Sequence, residues 1–458
     1  METTPATPGP SPLSAAERVE AALNATHRPR AAQWGHVIAV TGTLVRAAVP
    51  DVAIGERCAI ERPDDEPLTA EVIGFDGEGV LLMPLGDLTG VPVKTRVRPE
   101  GKPPMVPAGD RVRGRVLDAL GNPLDDGPPL DPNWPLMGRS PHPLKRDVIR
   151  QSLPTGVTCI DAALTVGVGQ RVGIFAGAGV GKSTLLSMIA RGVEADRIVL
   201  ALIGERGREV RQFIEDDLGP RGLERCTVVV STSDQPAMLR LKSAYTATAI
   251  AEEARSRGER VLLMMDSVTR FARALREIGL AAGEAPGRQG YPASVFATLP
   301  VLFERAGNDG VGSITAFYTV LVAGNDFTEP VCDETMSLLD GHLVLTPKLG
   351  SRGHFPAIDL AGIDSDRPSV SRVMAQVAGP EHQRAAQRLR KVLKAYEDSY
   401  DKITCGVYEP GSDPRVDYAL QHIDAVNAFL HQGTQDLTAF DDNVKRLIDL
   451  LPPAPDEG

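Results

Sequence analysis

Residues 176–184 read AGAGVGKST, a glycine-rich stretch that ends in Gly-Lys-Ser. The apolar run 171–175 precedes it and predicts a strand, and 185–190 follows as the opening of a helix. Strand, glycine-rich turn and helix together make the setting of a phosphate-binding loop. In such a loop, backbone N–H groups and the helix N-terminus bind phosphate oxygens. The sequence therefore predicts a nucleotide-binding site.

Two polar side chains of this loop have types that act directly on a nucleotide. Lys182 can reach the β- and γ-phosphates, and the Ser183 hydroxyl is placed to ligate Mg²⁺. The first position of the strict pattern holds Ala176 where glycine is usual, and alanine is small enough for the same turn. The predicted nucleotide-binding residues are Gly177, Ala178, Gly179, Val180, Gly181, Lys182, Ser183 and Thr184.

A carboxylate directly follows a second apolar run. Glu205 comes after 198–203, and ligands of α/β sheets bind at the C-terminal ends of the strands. A carboxylate there can orient and polarise the water that attacks the γ-phosphate. Arg206 and Glu209 are neighbours that would tune it. The alternative for this segment is an exposed charged turn.

Another acid, Asp266, ends the apolar run 261–265. Its position after a strand downstream of the loop matches the acid that holds Mg²⁺ through the ion's water shell. Asp266 can serve as a helix N-cap at the same time.

An arginine stands late in the predicted sheet region, within the stretch 369–374. Beside a nucleotide, Arg372 would neutralise charge that develops on the transferred phosphoryl group. Spacing alone does not assign this role, and by itself it favours a surface ion pair.

The composition of the whole chain limits the classes of protein to which it can belong. A hydrophobic fraction of 42% and a charged fraction of 24% over 458 residues are typical of a globular protein of two to four domains. No apolar run approaches the roughly 18–20 residues that span a bilayer. Residues 1–12 lack the features of a secretory signal. Five scattered cysteines without a C-x-x-C pair indicate a reducing compartment, and the net charge of −11 disfavours broad nucleic-acid binding.

The pattern of the chain changes four times along its length. Residues 14–23 predict either a short amphipathic helix that docks a partner or part of a disordered tail. Short strands then indicate a small β-barrel, at 37–45, 57–60, 68–75 and 80–83. A Pro- and Gly-rich segment, 99–150, connects to the nucleotide region and contains one further strand at 112–118.

Alternation of strands and helices between about 151 and 375 predicts a parallel α/β sheet. The predicted strands after the loop are 198–204, 228–231, 261–266 and 313–321, and a helix is predicted at 244–257. The rest of the chain carries three apolar stripes at helical spacing, which predict a small helical domain whose stripes are core. These stripes lie in 389–400, 416–430 and 440–451.

With these residues in view, the chain resembles the type III protein-export ATPases of flagella and injectisomes, which are related to the subunits of rotary ATP synthases. The resemblance runs from about residue 35 to 450. The motifs that carry it are the phosphate loop, 204–210, 266–272, 290–296, 312–320, 339–342, 355–359 and 369–372. It implies a RecA-like parallel-sheet ATPase core with an N-terminal β-barrel and a C-terminal helical domain. The expected domains are a tail (1–30), a barrel (31–100), an ATPase domain with its linker (101–375) and a helical domain (376–458).

The resemblance also implies roles for individual residues. Lys182 and Ser183 would bind phosphates and Mg²⁺, Glu205 would be the catalytic carboxylate and Asp266 the metal-shell acid. Arg372 would be an arginine finger that acts on the nucleotide of the neighbouring subunit. Phe355 matches the position whose ring packs against adenine; its alternative is a core phenylalanine.

One chain thus carries both Glu205 and Arg372, whereas rotary synthases divide the two between different subunits. Identical copies in a ring would complete a site at every interface, so we expect a homohexamer. The segment 360–368 is longer than is usual in the family before the finger motif, and Arg367 is the rival finger.

The implied function is ATP hydrolysis that releases chaperones from export substrates, unfolds them and delivers them to a membrane export gate. The implied partners are a stator protein, which the N-terminal tail could dock, and a coiled-coil central stalk. The location would be the cytoplasmic side of the inner membrane. The segments 232–237 and 261–267 favour the injectisome branch over the flagellar one. An RNA-dependent hexameric motor and a non-catalytic rotary ATPase subunit are the alternatives from other classes. The few aromatic residues of the barrel region disfavour the first, and Glu205 disfavours the second.

Overall fold

The computed structural model describes residues 33–63, 65–364 and 367–451, so the predicted tail 1–30 lies outside the described residues. The chain divides into two compact units, which meet in sequence between Pro103 and Pro104. None of the helices in the described part of the chain is long and apolar enough to cross a membrane.

The first unit is a closed six-stranded barrel in which the strand order is β1-β2-β5-β4-β3-β6. Alternate side chains such as Val37, Val45, Ile60 and Leu82 point inward and form its core. The strands are β1 Gly35–Thr41, β2 Leu44–Ala48, β3 Arg57–Arg62, β4 Asp65–Asp76, β5 Gly79–Pro84 and β6 Arg96–Pro99.

The prediction of a single strand at 37–45 is wrong, because the chain reverses at Gly42 and forms the β1–β2 hairpin. Gly42 has a φ of 59°, a left-handed conformation that glycine adopts without strain. Thr41 pairs with Leu44 across this turn. The apolar residues continue on both sides of the turn, so the pattern alone did not reveal it.

The second unit is built on a nine-stranded sheet with the order β17-β16-β10-β15-β13-β11-β12-β8, in which β14 pairs with β15. Its strands are parallel except β14 and β17. A separate two-stranded ribbon joins β7 and β9. The strands of this unit are β7 Met105–Val106, β8 Val116–Asp118, β9 Trp134–Pro135, β10 Arg171–Ala176, β11 Arg197–Glu205, β12 Cys226–Thr232, β13 Arg260–Asp266, β14 Gly307–Asn308, β15 Ser313–Leu321, β16 Gly341–Leu345 and β17 Val370–Ser371.

The strand predicted at 112–118 is shorter than expected. A turn of 3-10 helix occupies Asp110–Val112, and Gly114 has a φ of 76°, which ends the extended run. Only β8 remains extended, and it pairs in parallel with β12 at the sheet edge. The sheet therefore begins inside the segment that we interpreted as a connection.

Helices cover both faces of the sheet, which is why its central strands are almost wholly apolar. The helices are α1 Thr158–Ala163, α2 Lys182–Gly192, α3 Gly207–Gln212, α4 Gly219–Leu223, α5 Ala237–Ser256, α6 Val268–Ala281, α7 Ala293–Phe303, α8 Pro330–Leu338, α9 Pro347–Ser351 and α10 Met374–Val377, with a π-helix at Phe213–Leu218. Short 3-10 helices occupy Pro143–Lys145, Arg288–Gly290 and Ala323–Asn325.

Three further helices end the described chain: α11 Pro380–Thr404, α12 Pro414–Leu430 and α13 Phe440–Leu450. Their apolar stripes point inward, with Leu389, Ala419, Val426 and Leu447 all buried. These side chains belong to the same apolar core as residues of α1 and α2. The C-terminal helices are therefore packed directly against the nucleotide-binding region.

Candidate active site

The predicted phosphate loop joins the end of β10 to the start of α2. Gly179 and Gly181 have φ values of 76° and 92°, in the left-handed region where a side chain would be strained. Ala176 is the last residue of β10 and does not have a positive φ, so this position does not require glycine. The loop keeps an open face, since no heavy atom lies within 4 Å of a Cβ built at either of the two glycines.

Lys182 lies between two carboxylates at the carboxyl edge of the sheet. Its Nζ is 2.5 Å from Asp266 Oδ1 and 3.8 Å from Glu205 Oε1. All three side chains are largely buried: Lys182 is 12% exposed, Glu205 15% and Asp266 4%. Three residues that sequence reasoning selected from three separate elements thus meet at one point.

The strands fix where these carboxylates stand. Leu202 of β11 pairs with Asp266 of β13, so the two strands end side by side and Glu205 extends beyond that pair. Thr319 of β15 donates a hydrogen bond from its hydroxyl to Asp266 Oδ1 at 2.7 Å. Asp266 is therefore held by both a cation and a neutral donor.

Asp266 is not a helix N-cap, contrary to our expectation that it could fill this role as well. The side chain of Ser267 caps α6 and accepts a hydrogen bond from the backbone N–H of Arg270. Because the cap is one residue later, the Asp266 carboxylate is left to face Lys182.

Burial raises the pKa of the Glu205 carboxyl above its ordinary value, and the negative charge of Asp266 raises it further. The positive charges of Lys182 and Arg270 act in the opposite direction and do not cancel the rise. A carboxylate with a raised pKa in a cleft is a candidate general base.

Two arginines, Arg206 and Arg270, lie near Glu205. The structure favours Arg270, which the sequence did not single out, as the one that acts on Glu205. The Arg206 side chain is 65% exposed, and its guanidinium pairs with Glu209 at 2.7 Å. The side-chain stem of Arg270 lies against Gly204, and its buried Nε has no hydrogen-bond partner in the described part of the chain. Arg270 is the stronger candidate for a group that acts on Glu205, and its place in 266–272 was the only signal for it.

A cavity of about 230 Å³ adjoins the phosphate loop. Phe355 lies at its wall with 42% of the residue exposed, which excludes the alternative of a core phenylalanine. Sequence reasoning missed the contribution of the loop between α12 and α13 to this cavity, which comes from Gln432 and Thr434. The lining residues are Val180, Gly181, Thr184, Leu185, Met188, Leu345, Phe355, Pro356, Ala357, Gln432 and Thr434.

Arg372 lies at the other edge of the sheet. Ser371 pairs with Gly341, the first residue of β16, whereas Leu345 at the end of β16 pairs with Ala176 before the phosphate loop. Four residues of strand, or about 13 Å, therefore separate the two positions along the sheet. The structure does not bring Arg372 to the phosphate loop of its own chain.

The rival, Arg367, contacts α8. Its guanidinium lies 3.4 Å from Met336 Sδ and 3.7 Å from Asp333 Oδ1. Arg372, in contrast, is exposed, and its guanidinium has no hydrogen-bond or ion-pair partner among the residues that the structure describes. Arg372 is thus the arginine of the two that is free to act outside its own chain.

Comparisons with known proteins match the chain along most of its length. Three family profiles match successive parts of the chain: the ATP synthase alpha/beta family β-barrel domain at 37–101, the nucleotide-binding domain of the same family at 156–363, and the T3SS EscN ATPase C-terminal domain at 378–449.

Relatives with established names match over most of their length. A type 3 secretion system ATPase from Xanthomonas euvesicatoria is 48% identical over 91% of this chain and 93% of the relative. A flagellum-specific ATP synthase from Bacillus subtilis (strain 168) is 47% identical over 91% of this chain and 95% of the relative.

Among solved structures, the assembled ATPase EscN from the enteropathogenic E. coli type III secretion system matches with a TM-score of 0.85 and 44% identity. The match covers 91% of this chain and 99% of EscN. The structure of assembled EscN in complex with its central stalk EscO matches with a TM-score of 0.83 over the same shares.

The raised pKa of Glu205 predicts a pH-dependent effect of the Glu205→Gln substitution on stability. A folded-state pKa above the unfolded value, about 4.3, means that ionised Glu205 destabilises the fold increasingly as pH rises through the window between the two pKa values. Glutamine carries no charge. The Tm of Glu205→Gln minus that of wild type should therefore be most positive at neutral pH and shrink as pH is lowered through this window.

Differential scanning calorimetry without nucleotide measures this difference. The control is Glu215→Gln, which removes an exposed carboxylate from the π-helix that follows α3. A difference for Glu205→Gln that stays constant with pH, or grows toward acid pH, would show that the site does not disfavour the ionised carboxylate.

Proposed function

The chain belongs to the type III export ATPases, the branch of the ATP synthase alpha/beta family that contains type 3 secretion system ATPases and flagellum-specific ATP synthases, and from that premise we propose how it works. Its reaction is the hydrolysis of ATP. We propose that this hydrolysis releases chaperones from export substrates, unfolds the substrates and delivers them to the export gate of an injectisome.

In the proposed reaction, Lys182 leaves Asp266 to bind the β- and γ-phosphates, and Glu205 orients the attacking water. The raised pKa of Glu205 suits a group that accepts a proton from that water. The exposed Ser183 hydroxyl and the Asp266 carboxylate are hard oxygen donors of the kind that Mg²⁺ prefers. Ser183 would hold Mg²⁺ directly and Asp266 through water, and the ion would neutralise phosphate charge.

The location of Arg372 is the observation that carries the proposal for assembly. Because this arginine lies at the edge of the sheet away from its own loop, it supports a finger that serves a neighbouring copy. Identical copies in a homohexameric ring would each lend one finger and receive one. The relative EscN is known as an assembled ATPase and in complex with its central stalk EscO, and we propose a comparable stalk here.

The remaining partners and the location are proposals that rest on family membership. We place the ring at the cytoplasmic side of the inner membrane, attached to the export apparatus through other proteins. A stator protein would bind the tail 1–30.

The injectisome assignment has a second candidate beside it. The C-terminal helices match a profile described from EscN, which favours the injectisome. The flagellum-specific relative is almost as similar, at 47% against 48% identity, which supports a flagellar export ATPase as the alternative.

Removing the exposed ring at the base cavity should weaken binding of ATP. We propose that Phe355 packs against adenine, and base–aromatic stacking is worth about 1–3 kcal/mol, so Phe355→Ala should raise KM about 5- to 160-fold with little change in kcat. Steady-state hydrolysis measures both constants, and Phe355→Tyr is the matched control that keeps a ring. An unchanged KM for Phe355→Ala would contradict the adenine role.

A subunit-mixing experiment tests the shared site. Glu205→Gln and Arg372→Ala should each be nearly inactive alone, since a finger is typically worth about 10³–10⁵ in rate. Mixing the two should restore part of the activity, because some interfaces then combine an intact loop with an intact finger. Specific activity of wild type should also rise with protein concentration.

Two outcomes would contradict the shared site. If Arg372→Ala stays active, or if activity does not depend on concentration and the mixture stays inactive, then each chain hydrolyses ATP alone and the ring proposal fails.

Complementation distinguishes the two export systems. The gene is expressed in a strain that lacks its injectisome ATPase and in a strain that lacks its flagellar ATPase. Effector secretion should return in the first, and motility should stay absent in the second. Lys182→Ala is the control that removes hydrolysis in both. Restored motility without secretion would assign the chain to flagella.

A further inference from the structure

The exposed Arg372 raises the question of what holds it, because nothing described in its own chain binds the guanidinium. A group that stabilises a transition state must be held to within about 0.5 Å of its working position. For a finger that leaves its own subunit, the backbone at its base must supply that order. The contacts around 370–372 therefore decide how well the finger works.

Gln170 and Arg171, at the start of β10, hold this backbone through their contacts with Asp340. The backbone N–H of Arg372 donates to the carbonyl oxygen of Asp340 at 3.1 Å. The amide of Gln170, which is fully buried, donates to the same carbonyl at 3.0 Å and to Ser371 Oγ at 3.2 Å. Ser371 in turn donates to the carbonyl oxygen of Thr165 at 2.8 Å.

The Asp340 carboxylate is itself locked by Arg171. Arg171 donates from Nε to Asp340 Oδ2 at 3.0 Å and from Nη2 to Oδ1 at 3.2 Å, and its backbone N–H also reaches Oδ2 at 3.0 Å. Such a two-pronged contact restricts orientation as well as distance. A further ion pair joins Arg171 to Glu304. The carbonyl that accepts from Arg372 thus belongs to a residue whose side chain and main chain are both fixed.

We propose that Asp340, locked by Arg171, is a positioning residue for the arginine finger that this subunit lends to its neighbour. Asp340 touches neither the nucleotide nor the reacting atoms; it acts through the backbone of Arg372. This inference rests on the proposed function, since it requires that Arg372 works in the neighbouring site.

The placement predicts a specific asymmetry. Arg171 opens β10, and Ala176 at the other end of this strand leads into the phosphate loop, about 17 Å away along the strand. A defect at Asp340 should therefore impair the site of the neighbour and spare the site of its own subunit. A residue with a merely structural role would impair both.

Mixed assemblies separate the two cases. Glu205→Gln subunits can contribute only a finger to an active interface, and Arg372→Ala subunits can contribute only a loop. Asp340→Asn is added to one partner or to the other. The amide keeps the shape of the carboxylate but places a donor where Arg171 requires an acceptor.

With Asp340→Asn in the finger-contributing subunit, kcat of the mixture should fall about 10- to 100-fold, the cost of misplacing a catalytic group by about 1 Å. KM should stay the same, because the finger acts in the transition state. With Asp340→Asn in the loop-contributing subunit, the rate should stay close to that of the unmodified mixture. Glu304→Gln in the finger-contributing subunit is the matched control, since Glu304 binds Arg171 without touching Asp340.

Ser371→Ala removes the hydroxyl that donates to Thr165 and accepts from Gln170. This variant repeats the test if Asp340→Asn does not assemble. Equal losses in both positions, a loss confined to the loop-contributing subunit, or no loss in either would each overturn the positioning role. Failure of the unmodified mixture to regain activity is a different result. It would refute the shared site itself, and the role of Asp340 would fall with it.

Discussion

One buried ammonium group organises the carboxyl edge of the sheet. Two carboxylates with little access to water would repel one another, and the cost of burying a charge is offset only when an opposite charge lies close by. Lys182 supplies that charge, 2.5 Å from Asp266 and 3.8 Å from Glu205. The parallel sheet is what allows this contact, because it brings the ends of β10, β11 and β13 to one edge. Burial and the charge of Asp266 still raise the pKa of Glu205, because the positive charge of Lys182 offsets them only in part.

The sequence was sufficient to predict the residues that stand at strand ends. Glu205 and Asp266 follow apolar runs, and parallel strands end at a common edge, so their meeting with Lys182 followed from local pattern and topology. Arg270, Gln432 and the Arg171–Asp340 pair could not be found in this way. Each depends on side chains from distant segments that meet only after packing, and no spacing in the sequence encodes such a meeting. Arg206 was expected to act on Glu205 only because it is the next residue in the sequence. In the structure its side chain pairs with Glu209 instead.

The fold was predictable at the level of domains and less so at turns and edges. Long apolar runs identified β10, β11, β13 and β15, because strands that are buried on both faces need no polar alternation. The hairpin at Gly42 was missed because a tight turn interrupts the apolar pattern for only two residues. The short strands β16 and β17 escaped as well, although β17, at the edge of the sheet, leads directly to Arg372. These two strands have only five and two residues, so they carry little periodic signal.

The cavity beside the phosphate loop has one wall formed by the loop that joins the C-terminal helices α12 and α13. The backbone N–H of Gln432 donates to the carbonyl oxygen of Phe355 at 2.9 Å, and the Gln432 side chain accepts from Thr158 and donates to Gly156. A partner that shifts these helices against the sheet must therefore alter the affinity of the cavity for its nucleotide. Thermodynamic linkage makes the effect reciprocal: ATP changes the affinity for that partner by the same factor. Exchange of nucleotide at this site would then also change the affinity of the helices for such a partner.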